Sequence, residues 1–267
     1  MKKFVAVGIQ MDIKPGDVEF NLKTAILLTE KSLKFDPKII VFPEMFATGF
    51  AYPYINKIAK DHFTDLAAFF LNLAFKTGAY VIGGSIPEFR EDRLYNTCLV
   101  ASPERKIIGA YSKVHPFSLT DEVKYFTGGD NISVIDTPLA KLGINICYDI
   151  RFPEIARKMT VEGAEILIVP SQFPHPREHH WTTLLKSRAI ENQVYTIGVN
   201  RIGGRNPEYF GHSMVVDPYG ETVEELDNKE GVLVAEIDLN RLDIVRRNMP
   251  VLLDRRPEVY KLDEGKE

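Results

Sequence analysis

Apolar residues fall along this chain in short runs that alternate with stretches of helical spacing almost from end to end. Residues 4–10 form a β-rich run and predict a first strand. Val18, Leu22, Ala25 and Ile26 then recur at helical intervals behind Asp17, which predicts a helix with that aspartate as its cap. A short apolar strand over 38–42 ends at Pro43-Glu44, a second helix covers about 63–75, and a strand follows over 80–84. Residues 94–101 and 106–111 read as a hairpin about Ser102-Pro103-Glu104.

The second half repeats the scheme. A strand over 142–146 precedes a helix over 153–162 that carries proline in its first turn. A strand over 166–169, a helix over 181–193 and strands over 195–200 and 214–216 follow. Asp217-Pro218-Tyr219-Gly220 turns the chain, and residues 231–237 close the regular part. Hairpins set among strand–helix alternations predict an α/β fold with mixed sheets, as one domain over 1–267. The spacing alone fits one sheet or two stacked ones.

Composition narrows the function classes. With 267 residues, 45% of them apolar, the chain is long enough to bury a large core. Its net charge is -4 with both signs interspersed, so no basic stripe invites nucleic acid or an anionic membrane surface. The first apolar run is broken by Gln10 and Asp12 and is followed by no small-residue cleavage site, so it reads as a strand and not a signal peptide. No apolar run reaches transmembrane length. Two cysteines make no disulfide framework, and the expected home is a reducing cytoplasm.

Three reactive side chains share one kind of position. Glu44, Lys113 and Cys147 each stand at or just past the end of an apolar strand, where α/β proteins gather polar groups into a pocket. A thiol needs a base or a nearby cation to become a nucleophile. Glu44 suits the base, Lys113 suits stabilisation of a thiolate and of an oxyanion, and the backbone N–H of Tyr148 is a natural second donor. The plainer reading is a small buried cysteine beside a salt bridge, and the residues alone leave both open. Cys98 has no charged neighbour in sequence to recommend it. His175, His179 and His180 lack the spacing of a helical zinc site, and no glycine pair has the form of a phosphate loop. No metal and no cofactor are expected.

The words around these residues carry a resemblance. Val41-Phe42-Pro43-Glu44-Met45-Phe46-Ala47-Thr48-Gly49-Phe50, Tyr111-Ser112-Lys113-Val114-His115-Pro116-Phe117 and Gly143-Ile144-Asn145-Ile146-Cys147-Tyr148-Asp149-Ile150-Arg151-Phe152-Pro153-Glu154 resemble the glutamate, lysine and cysteine motifs of the nitrilase (carbon–nitrogen hydrolase) superfamily, in family order. The resemblance implies a four-layer α-β-β-α sandwich. It also implies association into dimers or larger homo-oligomers, with the tail at about 240–267 in the contacts. It gives Glu44 the base role, Lys113 the oxyanion role, Cys147 the nucleophile role, and Glu122 a positioning role, with a solvated loop acid beside Asp121 and Lys124 as the alternative for Glu122.

True nitrilases carry Cys-Trp-Glu where this chain has Cys147-Tyr148-Asp149, a departure that favours amides over nitriles. The words around the cysteine are most similar to the ω-amidase branch, which deamidates 2-oxoglutaramate and 2-oxosuccinamate. Arg151 offers a fork for the carboxylate of such a substrate, beside Tyr148; the alternative is that Arg151 pairs with Asp149 or Glu154 as scaffold. The aromatic residues over 46–54 are candidates for the pocket wall or for core. N-carbamoyl amidase and nitrilase chemistry stay open within the superfamily, and a catalytically silent binding dimer stays open outside it.

Overall fold

The computed structural model describes residues 3–132 and 134–260. Strand β1 (Lys3–Gln10) leads into helix α1 (Val18–Ser32), β2 (Ile39–Val41), α2 (Ile55–Thr77), β3 (Tyr80–Ile82), β4 (Ile86–Arg90), β5 (Arg93–Ser102), β6 (Lys106–Ser112) and the short α3 (Glu122–Tyr125). The second half runs β7 (Val134–Asp136), β8 (Lys141–Ile144), α4 (Pro153–Val161), β9 (Ile166–Ser171), α5 (Glu178–Asn192), β10 (Tyr195–Asn200), a two-stranded ribbon of β11 (Ile202–Gly203) and β12 (Tyr209–Phe210), then β13 (Met214–Val216), β14 (Thr222–Glu225), β15 (Gly231–Asp238) and α6 (Asn240–Asn248).

Two mixed sheets result. One has the order β15-β1-β2-β3-β5-β4 with β6 also on β5; the other has the order β14-β13-β10-β9-β8-β7. In each, three parallel strands form the centre (β1-β2-β3 and β8-β9-β10) and antiparallel strands flank them. The period-two pattern of the central strands explains the layering. Phe4, Ala6, Ile39, Val41 and Ile82 share one core with Ile144, Ile168, Ile197 and Val199 of the other sheet, while Val7, Ile9, Ile40 and Phe42 turn outward onto α1 and α2. On the far side, α4 and α5 cover the second sheet through Met159, Trp181 and Leu185. The four-layer α-β-β-α sandwich is thus present, with the sheets face to face. Gly8 lies on the inner face of β1, where an added Cβ would come within 2.8 Å of Val199, so glycine lets the two sheets meet there.

Asp17 caps α1 as expected, its carboxylate accepting from the N–H of Phe20 at 3.1 Å. Three expectations need correction. Helix α2 begins at Ile55 and not near residue 63, because Ile55 and Ala59 pack into a separate apolar cluster with Met45, Leu94 and Phe126. The strand β4 was missed: it meets β5 through Glu91-Asp92, both at positive φ, a turn that lacks the usual glycine or asparagine. Regular structure also continues past residue 237, in α6, whose polar sequence buries only Leu242 and Val245. Of the tail assigned to oligomer contacts, 261–267 lie outside the described residues. Among the described residues, no helix is long and apolar enough to cross a membrane.

Candidate active site

The carboxyl ends of parallel strands from both sheets meet at one place. Glu44 follows β2, Cys147 follows β8 and Gln172 follows β9, while Lys113 follows β6. Behind Glu44 the chain passes close to Gly84, which has φ +60°; a Cβ there would lie 2.0 Å from the Pro43 carbonyl oxygen, so only glycine admits this approach. Lys113 is fixed at its backbone, its N–H donating to the Asn96 carbonyl at 2.8 Å. Cys147 opens a 3-10 turn, Cys147–Arg151, with φ +49°, a left-handed conformation uncommon for a side chain with a Cβ.

The turn is stapled by Asp149, which is fully buried. One carboxylate oxygen accepts from the His115 N–H and meets His115 Nδ1, both at 2.9 Å; the other accepts from Tyr111 Oη at 2.7 Å and from the Ile146 N–H at 3.2 Å. His115 in turn stacks on Phe152, with ring centroids 3.5 Å apart. The strand that carries Lys113 is thereby tied to the turn that carries Cys147.

Glu44, Lys113, Cys147 and Glu122 converge and are all buried. The Lys113 ammonium donates to Glu44 Oε1 at 2.9 Å and to both oxygens of Glu122 at 2.8 and 2.9 Å. Asn96 Nδ2 donates to the same two carboxylates, at 2.9 Å to Glu44 and 3.3 Å to Glu122. The remaining oxygen of Glu44 accepts from the Gln172 N–H at 3.0 Å, and the Cys147 thiol lines the same cavity as that carboxylate. The Phe117 N–H completes Glu122 at 2.8 Å. Glu122 is therefore no solvated loop acid; Lys124, by contrast, pairs with Asp121 at the surface.

Burial is the largest influence on protonation in this cluster, and the neighbouring charges act on top of it. Burial raises the Glu44 carboxyl above its ordinary value, against the pull of Lys113. Burial and the Glu44 charge push the Cys147 thiol well up, and Lys113 offsets them only in part. For Lys113, burial alone would lower the ammonium, but Glu122 and Glu44 override it and hold the proton firmly. In this setting Cys147 rests as a thiol, and not as the thiolate that a lone neighbouring lysine would favour. Cys98 is buried with its thiol pushed up by burial alone, and it lies away from these groups.

These side chains line a cavity of about 750 Å³ with Phe50, Tyr52, Phe117, Arg201 and Tyr209 among its walls. Of the aromatic residues over 46–54, Phe50 and Tyr52 reach the cavity, whereas Phe46 is core against Phe42 and Phe70. Arg201 is already engaged by Asp12, the Ile13 carbonyl and Gln172. Arg151 and Tyr148 lie to one side, in a narrow slot that also touches Cys147. Of the two scaffold partners open to Arg151, Asp149 is taken up by Tyr111, His115 and Ile146, and Arg151 contacts His180 Nδ1 at 3.3 Å. His175 pairs with Glu178.

Sequence reasoning missed Asn96 and Gln172, and it missed the part played by Asp149. A buried asparagine in mid-strand was the only signal for the first; the contribution of Gln172 to Glu44 comes partly from its backbone N–H, which no side chain announces.

Comparison with known proteins follows this geometry. The profile of the carbon–nitrogen hydrolases matches residues 5–247. The sequence is 36% identical to the 2-oxoglutaramate amidase of Bacillus subtilis, over 97% of this chain and all of that one. It is 33% identical to omega-amidase NIT2-A of Xenopus laevis, over 99% of each. The solved carbon–nitrogen hydrolase from Helicobacter pylori G27 superposes with a TM-score of 0.92 at 31% identity, covering 97% of both chains.

Proposed function

Because the chain belongs to the carbon–nitrogen hydrolase family and is an amidase, we propose that it removes the terminal amide of a small carboxylate-bearing substrate through a thioester on Cys147. The observation that carries this reading is the convergence of Cys147, Glu44, Lys113 and Glu122 on one buried wall of the cavity, with the Lys113 ammonium joining the two carboxylates. The substrate class, ω-amides such as 2-oxoglutaramate or 2-oxosuccinamate, is supported by the similarity to the two amidases named above and by the position of Arg151 beside Cys147.

The chemistry runs in two halves. Glu44 takes the thiol proton as Cys147 Sγ bonds to the amide carbon, and the carbonyl oxygen becomes an oxyanion. Lys113 and the Tyr148 N–H face that charge. One N–H of Lys113 can serve both oxygens of Glu122, which frees another for the oxyanion. Glu44 passes its proton to the nitrogen, the carbon–nitrogen bond breaks and ammonia leaves. Glu44 then takes a proton from water as the oxygen attacks the thioester; collapse releases the acid, and the sulfur recovers its proton from Glu44. Asn96 and the Gln172 N–H hold the Glu44 carboxylate in place throughout.

Ammonia release from 2-oxoglutaramate and 2-oxosuccinamate tests the reading. Cys147→Ala should abolish it, and mass spectrometry of the quenched wild-type enzyme should find the acyl group on Cys147. Full activity in Cys147→Ser, or faster turnover of the matching nitrile, would count against it.

A further inference from the structure

Lys113 Nζ makes three short contacts, all with carboxylate oxygens: Glu44 Oε1 at 2.9 Å, Glu122 Oε1 at 2.8 Å and Glu122 Oε2 at 2.9 Å. As Glu44 takes the thiol proton, its negative charge passes to the substrate oxygen, and the N–H that Lys113 gives Glu44 is drawn after it. A buried carboxyl oxygen left bare by that move would offset much of what the oxyanion gains. The cluster is built to avoid this, because each of the four oxygens has a donor other than Lys113. The Gln172 N–H serves Glu44 Oε2 at 3.0 Å and the Phe117 N–H serves Glu122 Oε2 at 2.8 Å. Both Oε1 atoms are served by one side chain, Asn96, whose Nδ2 lies 2.9 Å from that of Glu44 and 3.3 Å from that of Glu122.

Asn96 lies in the middle of β5 and is 1% exposed, behind the Glu44, Lys113 and Glu122 side chains that line the cavity. Its backbone carbonyl also accepts from the Lys113 N–H at 2.8 Å, so one residue sets the register of the lysine and of both glutamates. Among the described residues, Asn96 Oδ1 has no hydrogen-bond partner. Turned the other way, that oxygen would face two carboxylates, so charge fixes the NH2 end towards them. A buried oxygen left unpaired is unfavourable in a side chain kept for stability alone, and it marks Asn96 as held for its two N–H groups. We propose that Asn96 is a positioning residue, the stand-in donor that keeps Glu44 paired while Lys113 turns from it to the oxyanion. The inference rests on the proposed reaction at Cys147 and adds the group that lets Lys113 act in it.

The test separates oxyanion formation from the other steps. When iodoacetamide alkylates Cys147, the sulfur–carbon bond forms as iodide leaves, the thiol proton passes to Glu44, and the carbonyl gains no charge. Hydrolysis of 2-oxosuccinamate passes through oxyanions instead. Asn96→Leu keeps the volume and removes the donor. It should lower kcat for the amide by about 10- to 100-fold, the loss expected for a hydrogen bond to a charged group, with KM within about twofold. The plateau rate of alkylation, read by mass spectrometry of the Cys147 peptide, should stay within about threefold, while its acid limb moves to higher pH as Glu44 holds its proton more tightly. Asn96→Asp keeps the shape and donates only while its carboxyl is protonated. Its deficit in kcat should therefore deepen with rising pH where the wild-type profile is flat, a pattern that a packing defect does not produce. A kcat in Asn96→Leu within about twofold of wild type overturns the inference. So does an equal fall in alkylation and hydrolysis, which would make Asn96 a support for Cys147 alone. Ammonia release that survives Cys147→Ala sinks the proposed reaction itself, whereas a moved alkylation limb in Asn96→Leu still upholds the grip of Asn96 on Glu44.

Discussion

Asp149→Asn separates a staple from a reacting group. The amide keeps the shape of the carboxylate but replaces one oxygen by a donor. In the native site each oxygen accepts from a backbone N–H, that of His115 at 2.9 Å or that of Ile146 at 3.2 Å. Whichever way the asparagine turns, one buried backbone N–H therefore faces an NH2 group. That conflict costs about 1–3 kcal/mol, and the remaining bonds lose roughly another 1 kcal/mol of charge assistance. A loss of about 3 kcal/mol should lower the melting temperature by about 6–12 °C for a domain of this size. The catalytic effect follows from geometry: without its staple, the left-handed Cys147 relaxes and the sulfur drifts from its line of attack. We expect kcat to fall about 100-fold with KM little changed, because the groups that would bind substrate are untouched. Calorimetry and steady-state ammonia release measure both. A melting temperature within about 1 °C of wild type, together with kcat within about twofold, would refute the staple.

The pH profile should show where the base and the nucleophile titrate. Activity is lost as Glu44 takes up a proton, so the acid limb of kcat/KM should lie above pH 4.5, the ordinary value from which burial raises that carboxyl. The Cys147 thiol is pushed up from 9.0, so a plateau with no alkaline loss is expected up to about pH 9; activity that keeps climbing from neutral pH towards pH 9 would show a thiolate-dependent mechanism instead. At the sheet interface, Gly8→Ala puts a methyl group 2.8 Å from Val199 and 3.3 Å from Leu233. Overpacking of this kind costs about 1–3 kcal/mol, visible as a lower urea midpoint at constant slope, and an unmoved midpoint would mean that the sheets part freely.

What could be read in advance follows a physical division. Strands β1, β2, β8, β9 and β10 announce themselves because most of their residues are buried on both faces, and the residue that follows such a strand stands out: Glu44 after β2 and Cys147 after β8 were legible for that reason. The first turns of α2 were not, since Ile55 and Ala59 pack on the distant Leu94 and Phe126 and not along a continuous stripe. Asn96 was hidden because its value depends on which strands lie beside β5. The same division governs the chemistry. From sequence, one lysine near one cysteine argues for a thiolate. Folding adds Glu122 to Lys113 and buries the whole cluster, and burial together with the Glu44 charge keeps the proton on the Cys147 sulfur. Residue identities named the candidates, but where the thiol proton rests is a property of the assembled cluster, and it could only be read once the packing of the two sheets had brought four separate strand ends together.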